Sequence, residues 1–157
     1  MGGLFAGFLG AGLSWPSARR EEREARRFAE ELASLLGLAP QLARIAGDLP
    51  HGAQKLVELG RALAAEPRLL LLDEPVAGMN PREKDALVEV VVRMRSVTGI
   101  SLLLVEHDMS VVMDLCRYLY VLDFGKLIAE GTPDAIQGNP LVIETYLGTA
   151  GRESADR

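Results

Sequence analysis

The sequence has little cysteine, no excess of positive charge and no long apolar run, and each shortage excludes a class of protein. Its single cysteine, Cys116, excludes an internal disulfide framework and a thiolate metal cluster, and is typical of a reducing compartment. With 17 basic and 22 acidic residues, the net charge of -5 gives no basic footprint for nucleic acid. Nucleic acid is therefore not expected as a partner.

No stretch of the sequence predicts a membrane anchor. The apolar segment at residues 2–15 is rich in glycine, is too short to span a bilayer and follows no Lys or Arg, so it predicts neither a spanning helix nor a signal peptide. What is present is a chain of 157 residues, 48% hydrophobic, which is long enough for one domain with a core. Membrane association is expected only through a partner.

The chain is organised around an apolar run at residues 69–72 that ends in Asp73 and Glu74. Four apolar residues between Pro67 and Pro75 are too few for a helix, and they predict a parallel strand buried on both faces. Ligands bind at the carboxyl ends of strands in open α/β sheets, so the two carboxylates are expected at a ligand edge. P-loop NTPases use such a strand to hold Mg²⁺ and to position an attacking water. The alternative interpretation is a strand that simply ends in a polar turn.

Periodic apolar residues predict the elements around this strand. A second buried strand is predicted over residues 101–105, ending in Glu106-His107-Asp108. The other predicted elements are an amphipathic helix at 17–38, a short helix at 41–46, a helix from about Lys55 to Ala65, a helix at 81–97 capped by Asn80, a helix from Asp108 to Cys116, a hairpin of 118–122 with 126–129, and short helices after Gly131 and from Pro140. This order indicates an α/β fold with parallel core strands and an antiparallel C-terminal hairpin.

Two glycine-containing stretches could bind an anion. Residues 7–14 match the phosphate-loop spacing G-x-x-x-x-G-K-[ST], except that Leu13 replaces the lysine and Trp15-Pro16 disrupts the following helix; we interpret this match as a coincidence. Residues 49–54 open onto a helix, whose N–H groups could face an anion, although ordinary helix starts look the same.

Together these residues resemble the ATP-binding subunit of ABC transporters. A signature-like turn at 49–54, a Walker B-like strand at 69–74, a D-loop-like stretch at 77–80 and a switch-like His107 occur in the family's order. Residues 122–133 are similar to the ATPases of branched-chain amino acid importers. The resemblance implies a P-loop NTPase-like (ABC ATPase) partial domain with these parts: residues 1–48 in the helical subdomain, 49–148 from the signature through the C-terminal part of the ATPase core, and 149–157 as a disordered tail.

The resemblance also implies catalytic roles. Asp73 would bind Mg²⁺ through water, and Glu74 would orient and deprotonate the water that attacks the γ-phosphate of ATP. His107 would donate a hydrogen bond to that phosphate. The family's activity would thus be ATP hydrolysis that energises uptake.

Further residues and partners follow from the same resemblance. His51 and Gly52 would face a nucleotide held by a second ATPase subunit, and Asn80 would contact nucleotide along that dimer interface. The other partners would be transmembrane permease subunits, with the chain peripheral on the cytoplasmic face of the inner membrane.

Departures from the family pattern qualify this expectation. Pro50 and Ala53 replace donors of the signature L-S-G-G-Q, so weak nucleotide clamping is expected. The sequence also offers no lysine-bearing phosphate loop, so it resembles the C-terminal portion of the subunit lacking the Walker A region. The chain alone is therefore expected to hold neither ATP nor Mg²⁺ and to be inactive. The alternative is a non-catalytic remnant that pairs with membrane subunits or a full-length ATPase paralogue; a repair ATPase fits less well.

Overall fold

The computed structural model describes residues 16–147, which divide into two compact units. The first contains residues 16–70 and 93–101, and the second contains residues 71–92 and 102–147. The phosphate-loop-like stretch at 7–14 and the predicted tail at 149–157 lie outside the described residues. No helix within the described range is both long and apolar enough to cross a membrane.

Helices α1 (Pro16–Leu35) and α2 (His51–Leu63) pack together in the first unit. They approach closely at Gly60, where an added Cβ would lie 2.9 Å from Cδ1 of the buried Leu36. The absence of a side chain at Gly60 therefore leaves room for Leu36, the residue that follows α1. Leu59 and Leu63 are buried on α2, in agreement with its predicted inward face.

Two predictions for the first unit are wrong. The predicted apolar face of α1 is exposed in its first part, including Phe28 at 36%, and packing begins only near Leu32, because no described element covers the earlier turns. The predicted helix at 41–46 is absent. Separate 3₁₀ turns occur instead at Ala39–Gln41 and Ala46–Asp48, since Pro40 and Gly47 do not sustain an α-helix.

Strands β1 (Leu69–Asp73) and β2 (Ser101–Val105) pair in parallel. The amide of Ser101 donates to the carbonyl of Arg68 at 3.2 Å, and the amide of Glu74 donates to that of Val105 at 2.9 Å. The prediction that β1 is buried on both faces is wrong: Leu70 is 5% exposed, but Leu71 is 65% exposed. Described residues cover only one face of this two-stranded sheet, so alternate side chains meet solvent.

Helix α3 (Pro81–Thr98) connects the two parallel strands. It begins as predicted: Asn80 Oδ1 accepts from the Glu83 amide at 3.1 Å, and Glu83 Oε2 accepts from the Asn80 amide at 3.0 Å. This reciprocal pair is a capping box, with Pro81 at the first helical position. The side chains of Leu87, Val90, Val91 and Met94 are buried on this helix, whereas Val97 near its end is exposed.

The C-terminal part of the second unit contains the predicted hairpin. Strands β3 (Leu119–Asp123) and β4 (Lys126–Gly131) pair antiparallel, with an irregularity between Val121 and Leu122. Positive φ angles of 44° at Phe124 and 76° at Gly125 give the two-residue turn whose twist matches paired strands. The parallel and antiparallel strand pairs confirm the predicted α/β class.

Short helices surround the hairpin and complete this core. They are α4 (Met109–Leu115), α5 (Pro133–Gln137) and α6 (Pro140–Val142), and a π-helical turn (Ile143–Leu147) follows α6. Val112, Leu119, Ile136 and Val142 are buried together. Cys116 is half-buried and packs against them.

Candidate functional site

The site is built on the β1 turn, residues 74–80, which follows the first parallel strand. Glu74 has a φ of 43°, a left-handed conformation that non-glycine residues rarely adopt, and the chain therefore bends sharply after Asp73. Val76 and Met79 are 3% and 7% exposed, and Met79 donates its amide to the carbonyl of Val76 at 3.1 Å. These two buried side chains fix the turn that presents the Glu74 carboxylate.

Glu74 and His107 come together at the carboxyl ends of β1 and β2. His107 Nδ1 lies 3.4 Å from Glu74 Oε1, and the two side chains are 71% and 54% exposed. Both groups can therefore meet a ligand from solution. Asp73 is also exposed, at the end of β1. The ligand edge predicted from the two strands thus carries all three of these side chains.

Glu106, between β2 and His107, is the residue that sequence reasoning missed. Its side chain is 0% exposed. Oε1 accepts from the amide of Val76 at 3.3 Å, while Oε2 accepts from the amides of His107 at 2.9 Å and Asp108 at 3.2 Å. The alternation of the strand could have predicted the burial of Glu106. The two-residue period of β2 places residues 102, 104 and 106 on the covered face of the sheet and His107 on the open face.

An ion pair fixes the segment after His107. Lys84, in the first turns of α3, donates to Asp108 Oδ2, and Asp108 Oδ1 accepts from the amide of Ser110 at 3.1 Å, which caps α4 as predicted. The hydrogen bond from Lys84, followed by that from the Ser110 hydroxyl, which donates to Asp108 Oδ1 at 2.6 Å, lowers the pKa of Asp108 from 3.8 to about 2. The ionised carboxylate therefore joins the start of α3 to the start of α4.

The predicted signature residues lie in the first unit. His51 and Gly52 are the first two residues of α2, and Pro50 before them provides no side-chain cap. Gln54 donates its side-chain amide to the carbonyls of Gly47 at 3.2 Å and of Leu49 at 2.9 Å. Gln54 therefore holds the preceding turn against α2, although Ala53 occupies the glutamine position of the family signature.

The carboxylates at the ligand edge could bind Mg²⁺ only if waters and a phosphate-containing ligand supplied the remaining oxygen atoms. No group of three or more His, Cys, Asp or Glu side chains that could hold a metal occurs among residues 16–147. Mg²⁺ is commonly bound by one or two carboxylates together with waters and phosphates, which is what the exposed Asp73 carboxylate can offer. Asn80 uses its side-chain oxygen as a helix cap, so its predicted contact with nucleotide stays a prediction.

Known proteins with similar sequences and structures were found for this chain. The family model described as "ABC transporter" matches residues 11–77. The solved ATP-binding cassette MJ1267, in its ADP conformation, superimposes with a TM-score of 0.72 at 34% identity, over 80% of this chain and 50% of that one. The resemblance stated from the sequence is thus confirmed: the chain is similar in sequence and fold to ABC transporter ATP-binding domains, over about half of their length.

More specific similarity is found to ATP-binding proteins of branched-chain amino acid transporters. A family model described as "Branched-chain amino acid ATP-binding cassette transporter" matches residues 126–152. The chain is 40% identical over 94% of its length to the high-affinity branched-chain amino acid transport ATP-binding proteins BraF of Pseudomonas aeruginosa and LivG of Escherichia coli K12. It spans 58% of the length of BraF and 56% of that of LivG.

Proposed function

We propose that the chain acts in the ATP-binding and ATP-hydrolysing subunit of an ABC importer for branched-chain amino acids. The observation that supports this most directly is the 3.4 Å approach of Glu74 and His107 at the carboxyl ends of two parallel strands. A carboxylate and an imidazole so placed can hold and deprotonate a water beside a phosphoryl group. The similarity to BraF and LivG supports the choice of cargo.

In this proposal each residue of the edge has one role. Mg²⁺ bound with ATP supplies charge stabilisation at the phosphates. Asp73 would hold Mg²⁺ through water, Glu74 would accept the proton of the attacking water, and His107 would donate a hydrogen bond to the γ-phosphate. Glu74 lies at the left-handed bend that follows the strand, and its side chain is 54% exposed.

The remaining predicted residues act across a dimer of ATPase subunits. His51 and Gly52, at the N-terminus of α2, face the nucleotide of the second subunit, where backbone N–H groups and the helix dipole favour an anion. Asn80 lies at the dimer interface. Permease subunits at the cytoplasmic face of the membrane are the remaining partners, and they select the amino acid.

The test is ATP hydrolysis by the native complex purified through a tag on this chain. Glu74→Gln should lower the rate by about 10²-fold or more, because it removes the general base. Glu89→Gln, at an exposed position of α3, is the matched control and should keep the rate. Leucine uptake by membrane vesicles should fall in parallel. A Glu74→Gln complex with the wild-type rate would contradict the proposal.

A second candidate is a non-catalytic subunit that pairs with permeases or with another ATPase. Pro50 and Ala53 favour it, since each replaces a nucleotide-contacting residue type of the family signature. Titration calorimetry of the isolated 157-residue chain with Mg-ATP tests this second candidate. We expect neither binding nor hydrolysis by the chain alone under either candidate, and tight binding by the monomer would contradict the non-catalytic role.

A further inference from the structure

We propose that Glu106 is a positioning residue, whose buried carboxylate holds the β1 turn and His107 in one fixed arrangement. The inference rests on the proposed function, because the arrangement matters for catalysis only if Glu74 and His107 act on ATP. Glu106 itself touches neither the open face of the edge nor solvent, since its side chain is 0% exposed.

The hydrogen bonds of Glu106 join two separate segments. Oε1 accepts from Val76, two residues after Glu74, and Oε2 accepts from the backbone of His107 itself. The two segments are 30 residues apart in sequence. Together with the direct hydrogen bond from the Glu74 amide to the Val105 carbonyl, this one carboxylate therefore limits how far the backbone after Glu74 can move from the backbone of His107.

Because the Glu106 carboxylate is buried, losing any of its hydrogen bonds would be costly. A buried carboxylate without hydrogen bonds is strongly unfavourable, so Glu106 keeps the three amides of Val76, His107 and Asp108 in place. His107 Nδ1 also lies 3.8 Å from Glu106 Oε2 and 3.4 Å from Glu74 Oε1, so the imidazole nitrogen is close to both carboxylates. A movement of the β1 turn at Val76 would therefore be transmitted to the backbone of His107 through the Glu106 side chain.

The first test is made on the 157-residue chain by NMR. Glu106→Gln has nearly the same shape, but its amide group turns one donor toward the three backbone N–H groups, so at least one of their hydrogen bonds is lost. We expect the amide proton resonances of Val76, His107 or Asp108 to move upfield. Glu83→Gln is the matched control, because Glu83 also accepts a backbone amide, that of Asn80, but from a partly exposed position.

The inference is overturned if the three amide resonances in Glu106→Gln match those of the control. Glu106→Ala removes all three acceptors and should move all three resonances. If Glu106→Ala does not fold, the near-isosteric Gln variant still decides the question.

The second test separates positioning from stability in the tagged native complex. Glu106→Gln should lower kcat for ATP about 10-fold or more with KM unchanged, because small misplacements of catalytic groups reduce the rate without removing nucleotide contacts. A raised KM with unchanged kcat would overturn the inference. If the wild-type complex hydrolyses no ATP, the proposed function fails, and the NMR result alone decides whether Glu106 fixes the geometry.

Discussion

Removing the charge of Lys84 should weaken the second unit and change its response to acid. The folded-state pKa of Asp108 is lowered from 3.8 to about 2, with the Lys84 hydrogen bond as the largest cause. One pKa unit corresponds to about 1.4 kcal/mol. The two side chains are 31% and 21% exposed, so solvent screening reduces the share of Lys84 to about 1 kcal/mol.

The direction of the pH dependence follows from the lowered pKa. Stability from Asp108 is fully present above the unfolded-state pKa near 3.8 and is lost as pH falls toward about 2. Lys84→Met should therefore lower the free energy of unfolding by about 1 kcal/mol at pH 7 and flatten its decline between pH 4 and 2. Urea denaturation followed by circular dichroism at several pH values measures both effects.

Lys55→Met is the matched control for this experiment. Lys55 also forms an ion pair, with Glu58 at 3.1 Å, but the glutamate side chain is 64% exposed, so the change should be below about 0.5 kcal/mol. If Lys84→Met kept the wild-type slope between pH 4 and 2, the assignment of the acid sensitivity to the Lys84–Asp108 pair would be refuted.

Three further substitutions test packing and one hydrogen bond by urea denaturation. Gly60→Ala should destabilise by about 1 kcal/mol, because overpacking against the buried Leu36 exceeds the gain in helix propensity; a stabilised variant would show that Leu36 yields. Ile136→Ala, at a 1% exposed position, should cost about 2–4 kcal/mol, and an unchanged midpoint would contradict its place in the core. Tyr146→Phe removes the hydroxyl that donates to the Leu122 carbonyl at 2.5 Å and should cost about 1 kcal/mol; no loss would contradict a stabilising hydrogen bond there.

Local patterns in the sequence predicted most of the elements and several of their ends. Asn80-Pro81 and Asp108 cap helices as expected, because capping depends on residues within one turn. Predictions that needed a second element were less successful. The exposed start of α1 and the open face of β1 could not be predicted, since apolar periodicity shows which face can be buried and not whether another element covers it.

For the candidate site, the sequence by itself determined the chemical groups and the strand ends that carry them: Asp73 and Glu74 after β1, and His107 after β2. Only the tertiary structure decided the left-handed backbone at Glu74, its 3.4 Å contact with His107 and the burial of Glu106 between the two segments. The physical reason is that a local pattern reflects neighbouring residues, whereas the bond from Val76 to Glu106 joins residues 30 positions apart and forms only when the strands pair.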